Sequence, residues 1–114
     1  MMTLIYKICS KALWSEAEAK GVFEGAPIDY ADGYIHFSSA AQLRETAEKH
    51  FAGLEDLLLI AVNCQKLGDR LRWEPSRGND LFPHLYDVLD MADISWAKPL
   101  PLGGDGKHQF PSLD

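Results

Sequence analysis

Residues 57–62, Leu57-Leu58-Leu59-Ile60-Ala61-Val62, are apolar without a break and are closed by Asp56 and Asn63. A short apolar run bounded by polar residues suits a β-strand covered on both faces. A buried helical segment is the alternative, but the run is short for one. The segments around it alternate between strand and helix patterns. Thr3 to Cys9 is rich in β-formers and reads as a strand. Ser10 can cap the helix that follows and Gly21 can stop it, with Leu13, Trp14 and Ala17 on one face and Glu16, Glu18 and Lys20 largely on the other.

Gly25-Ala26-Pro27 and Asp32-Gly33 are turn signals, and a strand from Tyr34 to Ser38 follows the second. Ser39-Ala40-Ala41-Gln42 matches a capping box, opening an amphipathic helix with Leu43, Ala47 and Phe51 inward and an end near Gly53. Arg70-Leu71-Arg72-Trp73-Glu74 alternates, so Arg70, Arg72 and Glu74 share one strand face. Pro75 to Asp80 reads as a loop, Leu85 to Val88 as another strand, and Asp93 to Lys98 as a last strand before Pro99. The order strand, helix, strand, helix, then several strands predicts an α+β domain. Two main helices would pack on a small, mostly antiparallel sheet. The domain is expected to occupy residues 1–102, with 103–114 a Gly-rich polar tail held loosely.

The 114 residues fit one domain. A chain of this size buries roughly two-thirds of its unfolded surface, so a core can hold it without a metal or a disulfide. A net charge of −6 disfavours broad attraction to nucleic acid, which needs a basic surface. Cys9 and Cys64 both lie in apolar runs without Cys-x-x-Cys spacing, which suits two buried thiols in a reducing cytosol. There is no pattern of a secretory leader at the start, and no stretch approaches ~18 uninterrupted apolar residues, so a cytoplasmic protein with no membrane span is expected. The histidines His36, His50, His84 and His108 are widely spaced, and no metal is expected.

Two polar-aromatic segments carry the chemistry: Asp32-Gly33-Tyr34-Ile35-His36-Phe37-Ser38-Ser39 and Phe82-Pro83-His84-Leu85-Tyr86. In the first, Ile35 and Phe37 would enter the core while Tyr34, His36 and Ser38 face a cleft. The helix start at Ser39 would offer amides to phosphate or carboxylate. In the second, His84 and Tyr86 share a face opposite Leu85. The two imidazoles are expected across one solvent-exposed hollow, lined by imidazole, hydroxyl and phenol. Glu74, flanked by Arg70 and Arg72, would stay ionised and could orient a ribose hydroxyl or stabilise positive charge in a transition state. Arg77 and Asn79 in the next loop could meet phosphate. The other reading of each is structural: a core histidine with one hydrogen bond, a packed aromatic corner, a solvated edge strand.

Ile5-Tyr6-Lys7-Ile8, Asp32-Gly33-Tyr34-Ile35-His36-Phe37-Ser38, Leu71-Arg72-Trp73-Glu74 and Phe82-Pro83-His84-Leu85-Tyr86 together resemble the bacterial domain-of-unknown-function 952 family, from about Leu4 to Leu102. That family is grouped with folds similar to ADP-ribosyltransferases and NAD-using RNA 2'-phosphotransferases. The resemblance implies a split, strand-rich α+β core that holds NAD in a cleft. It implies His36 on the nicotinamide or adenylate ribose and leaves the late carboxylate position open: Glu74 is the right residue type, and Tyr86 or His84 is the alternative lining of that part of the cleft. The expectation is a site with His36, Glu74 and His84 as catalytic groups and Tyr34, Ser38, Ser39, Arg72, Arg77 and Tyr86 contacting a nucleotide or ADP-ribose-type ligand. The reaction would be cleavage at the nicotinamide–ribose bond with ribosyl transfer. The alternatives are a non-catalytic ligand-binding module and a structural or interaction domain.

Overall fold

The computed structural model describes residues 3–113, and the Arg77 side chain lies outside the described set. The described residues form eight strands and three α-helices, alternating as far as β4 and followed by strands: β1 (Leu4–Ser10), α1 (Lys11–Lys20), β2 (Val22–Phe23), α2 (Pro27–Asp32), β3 (Ile35–His36), α3 (Leu43–His50), β4 (Leu57–Asn63), β5 (Leu71–Pro75), β6 (Leu81–Leu85), β7 (Leu89–Asp90) and β8 (Ile94–Leu100). The fold is a small α+β unit with mostly antiparallel sheets.

The apolar run forms β4, the middle strand of the antiparallel sheet β1–β4–β8. Its alternate residues enter two separate cores. Ile60 and Val62 join Ile5, Cys9, Trp14, Phe23, Ile35, Phe37 and Leu85. Leu57, Leu59 and Ala61 join Tyr6, Ile8, Leu43, Ala47 and Leu100. Helix α1 and the second sheet cover one face and α3 the other, so each core side chain is removed from water at about 1.5–3 kcal/mol apiece. Pro99 is accommodated inside β8 because that strand is an edge and its missing N–H costs no ladder bond.

Helix α1 has the ends its sequence predicts: Ser10 Oγ accepts from the Leu13 amide, and Gly21 adopts φ 85. Three other elements differ from expectation. Residues 27–32 are a helix rather than part of a turn. Pro27 opens it with its fixed φ, and Gly33 closes it in the left-handed region at φ 86. Helix α3 begins at Leu43, not at Ser39. Only half of the expected box forms there: Gln42 Oε1 accepts from the Ser39 amide, while Gln42 itself is the N-cap. Leu85 closes β6, and Tyr86 and Asp87 form a bend rather than extending a strand.

The segment after Gly103, expected to be loose, folds back on the body. Tyr6 Oη donates to the Leu113 carbonyl at 2.6 Å, and Phe110 and Leu113 pack on the second core. His108 Nε2 meets the Leu54 carbonyl at 2.9 Å.

The second sheet, β3–β6–β5, has β6 in the middle, and β2 pairs with β7 separately. A single antiparallel bridge joins the edges of the two large sheets, the Tyr6 and Ser38 amides each donating to the other's carbonyl at 2.8 Å. Residues of both segments joined by that bridge, Lys7 to Ser10 and His36 to Phe37, line the cavity described next.

Candidate functional site

A cavity of about 680 Å³ runs along the free edge of β1, with walls from β3, β6, α2 and α3. Its polar lining includes Lys7, Asp32, His36, Ser38, His50 and His84. That volume lies within the range of small-molecule and cofactor sites.

Lys7 stands in β1 between Ile5 and Cys9, on the face turned to the core, and is only 6% exposed. A buried ammonium needs a counter-charge. Asp29 supplies it, with Oδ1 at 3.0 Å and Oδ2 at 2.9 Å. Burial still draws the Lys7 pKa down, against the pull of Asp29. Asp29 reaches this place because α2 starts at Pro27 and puts residue 29 in its first turn. There Oδ2 accepts from the Ala26 amide at 2.8 Å, while Oδ1 accepts from the His36 amide at 3.1 Å and meets His36 Nδ1 at 2.6 Å. Burial alone would raise the Asp29 carboxyl. The His36 bond, the Lys7 charge and the Ala26 amide outweigh it and hold the carboxyl at about 2. Neither Lys7 nor Asp29 was singled out from sequence. The Ile5-Lys7-Cys9 alternation was a usable signal, because it places a lysine on an apolar face.

His36 Nε2 lies 2.8 Å from Asp32 Oδ2. Each ring nitrogen therefore faces a carboxylate, and the ring donates to both only as the imidazolium. The outer pair is open to solvent, with side chains 30% and 43% exposed.

His84 sits in β6, paired in register with His36 on one side and Arg72 on the other. It is 2% exposed, so the expectation of two solvent-exposed imidazoles is corrected for this one. The reason is positional: β6 is the central strand, and Tyr34 lies flat on the ring, centroids 4.1 Å apart at 26°. Tyr34 also touches His36 at 4.7 Å and Tyr86 at 5.3 Å, and the two imidazoles are 5.5 Å apart. His84 Nδ1 lies 2.9 Å from Glu74 Oε1, and Tyr86 Oη donates to the same oxygen at 2.7 Å. The Tyr86 bond, then the His84 bond, hold the Glu74 carboxyl below its usual range. With Nδ1 turned to an ionised carboxylate, the neutral ring keeps its proton there. Nε2 then carries a lone pair, and among the described residues the hydrogen bond of the ring is the one through Nδ1.

The remaining sequence candidates divide. Ser38 lines the cavity, 4% exposed, with Oγ 2.9 Å from Thr46 Oγ1. Glu74 reaches the cavity only through His84, and Tyr86 is held by Glu74 on the sheet surface. Arg72 is exposed, its guanidinium 5.2 Å from the Tyr86 ring centre, and it helps hold Glu74 ionised. Ser39 opens no helix and does not line the cavity, which removes the basis for its expected phosphate contact. The Arg77 side chain lies outside the described residues.

Two solved structures of one protein, CC0527 from Caulobacter crescentus, share this architecture. Its crystal structure has a TM-score of 0.90 at 48% identity over 94% of both chains. Its solution NMR structure has a TM-score of 0.86 at 49% identity, covering 95% of this chain and 93% of that one. Nothing among curated proteins matches. The model of the DUF952 family, described as proteins of unknown function, matches residues 8–97, and the chain belongs to that family.

Proposed function

We propose that the cavity binds a nucleotide or ADP-ribose-type ligand and that His84 is the general base of a ribosyl transfer with NAD as donor. The observation that carries this reading is the His84 ring, which lines a ligand-sized cavity and is fixed through Nδ1 by Glu74, its one hydrogen-bond partner among the described residues. A base oriented by a third group is a recurring arrangement for activating an attacking hydroxyl. In the proposed step Nε2 takes the proton of an acceptor hydroxyl. Its oxygen bonds to the ribose carbon that carried nicotinamide, and the carbon–nitrogen bond breaks with its electron pair leaving on neutral nicotinamide. The resemblance to NAD-using folds supports the choice of donor. In this reading Glu74 acts by orienting His84 rather than by meeting the ribosyl cation directly.

The test is nicotinamide release from NAD with RNA or protein acceptors. His84→Gln should lose about 10²–10⁴-fold in turnover while retaining ADP-ribose binding. Release that is unchanged in His84→Gln and Glu74→Gln would refute the assignment. The second reading is a non-catalytic binding module. It is favoured by the Tyr34 ring that covers one face of His84 and by the two carboxylates that occupy both His36 nitrogens. It predicts ADP-ribose binding with no nicotinamide release from the wild type.

A further inference from the structure

The four charged groups behind the cavity are not equivalent. Lys7 and Asp29 form an inner pair, 6% and 1% exposed at their side chains. Asp29 fixes His36 through both the ring Nδ1 and the main-chain amide. The orientation of the imidazole therefore does not need Asp32. The His36–Asp32 contact is outer and solvent-facing, and both residues line the cavity. Asp32 is also the last residue of α2, which has no basic residue in its final turn, so His36 is the cation that holds this carboxylate. Exposed ion pairs of this kind are readily exchanged. With the His36 ring protonated, as donation to both carboxylates requires, Lys7 and His36 carry two positive charges against two negative ones on Asp29 and Asp32. Withdrawal of Asp32 alone leaves one positive charge facing the cavity, with an N–H donor already aimed.

We propose that the Asp32 carboxylate stands in for an anionic group of the ligand, a phosphate or carboxylate oxygen, which takes its place on His36 Nε2–H while Asp32 turns to solvent. This deepens the reading of the cavity as a nucleotide site and rests on it. It moves the anion contact away from the α3 start, where Ser39 was expected to provide it. The contact is to one anionic oxygen at His36 Nε2, which a phosphate of a nucleotide or of ADP-ribose supplies.

The experiment is a titration of the full chain with inorganic phosphate and, separately, with ADP-ribose, followed by long-range proton–nitrogen correlation of the imidazoles. In the wild type, phosphate should move the His36 Nε2 signal more than any other ring nitrogen. Asp32→Asn removes the competing charge with little change of shape and should tighten phosphate binding by about twofold to fivefold. His36→Gln should abolish it. If ADP-ribose binds but Asp32→Asn changes neither affinity, Asp32 is no stand-in and this proposal fails with the nucleotide reading intact. If phosphate binds at His36 and ADP-ribose does not bind, the subsite stands and the nucleotide reading fails. If the wild-type His36 signal responds to neither, both are overturned.

Discussion

Asp29 and Lys7 bond to each other, but their other partners differ, and the difference predicts unequal costs of removing each. Among the described residues Lys7 has one side-chain partner, Asp29. Asp29 has Lys7, the His36 ring and the amides of Ala26 and His36. Asp29→Asn strands a 6%-exposed ammonium with no counter-charge. Breaking a buried pair in that way costs about 3–5 kcal/mol. Lys7→Met leaves a carboxylate that still receives three hydrogen bonds and fills the lysine's space with apolar volume. Its cost should be nearer that of one charged hydrogen bond, about 1.5–3 kcal/mol. The double variant Lys7→Met/Asp29→Asn should be less destabilised than the sum of the two, because the stranded ammonium is gone. Urea unfolding at pH 7, read as the shift in midpoint at constant slope, measures all three. Equal costs, or a larger cost for Lys7→Met, would refute the claim that Asp29 is the hub and Lys7 its dependent.

Three further outcomes follow from the same geometry. The Asp29 carboxyl, at about 2 against an ordinary 3.8, binds its proton less readily folded than unfolded. It therefore contributes stability above the unfolded value and loses it as pH falls from about 4 to 2; the loss should be on the order of 2 kcal/mol and absent in Asp29→Asn, measured by urea unfolding across that range. Ile60 is fully buried at the centre of β4, and Ile60→Ala should cost about 2–5 kcal/mol by the same measurement. Gly25 has φ 124, and a Cβ there would stand 3.0 Å from the Asp29 Cβ. Gly25→Ala should therefore cost about 1–3 kcal/mol in thermal unfolding and perturb the His36 ring signals, whereas Gly104→Ala, with open space around it, should do neither.

The parts of the fold legible in sequence were those set by local chemistry. The run through Ile60 could only be satisfied by cover on both sides, and Ser10 and Gly21 are caps whose function needs no tertiary partner. Helix α2 was missed because at six residues its start and stop signals, Pro27 and Gly33, nearly touch and read as two turns. With it went Asp29, whose partners lie 22 and 7 residues away and meet only when β1 and β3 come together. Ser39 illustrates the opposite error. Its spacing to Gln42 fits a box, but the chain first makes a turn over residues 40–42 and only then enters α3. The tail's polar composition concealed Phe110 and Leu113, two apolar anchors sufficient to seat it on the second core. At the site, the pairing of His36 with His84 was readable from the two motifs. The burial of His84 was not, because it depends on which strand lies in the middle of the sheet and on where the Tyr34 ring folds.

The most direct test of the site is the state of the His84 ring. Proton–nitrogen correlation at a pH where the ring is neutral should show the proton on Nδ1, shared with Glu74, and a bare Nε2 that shifts when ADP-ribose is added. A proton found on Nε2, or an Nε2 signal that saturating ADP-ribose leaves in place, would contradict the assignment of His84 as the base in this cavity.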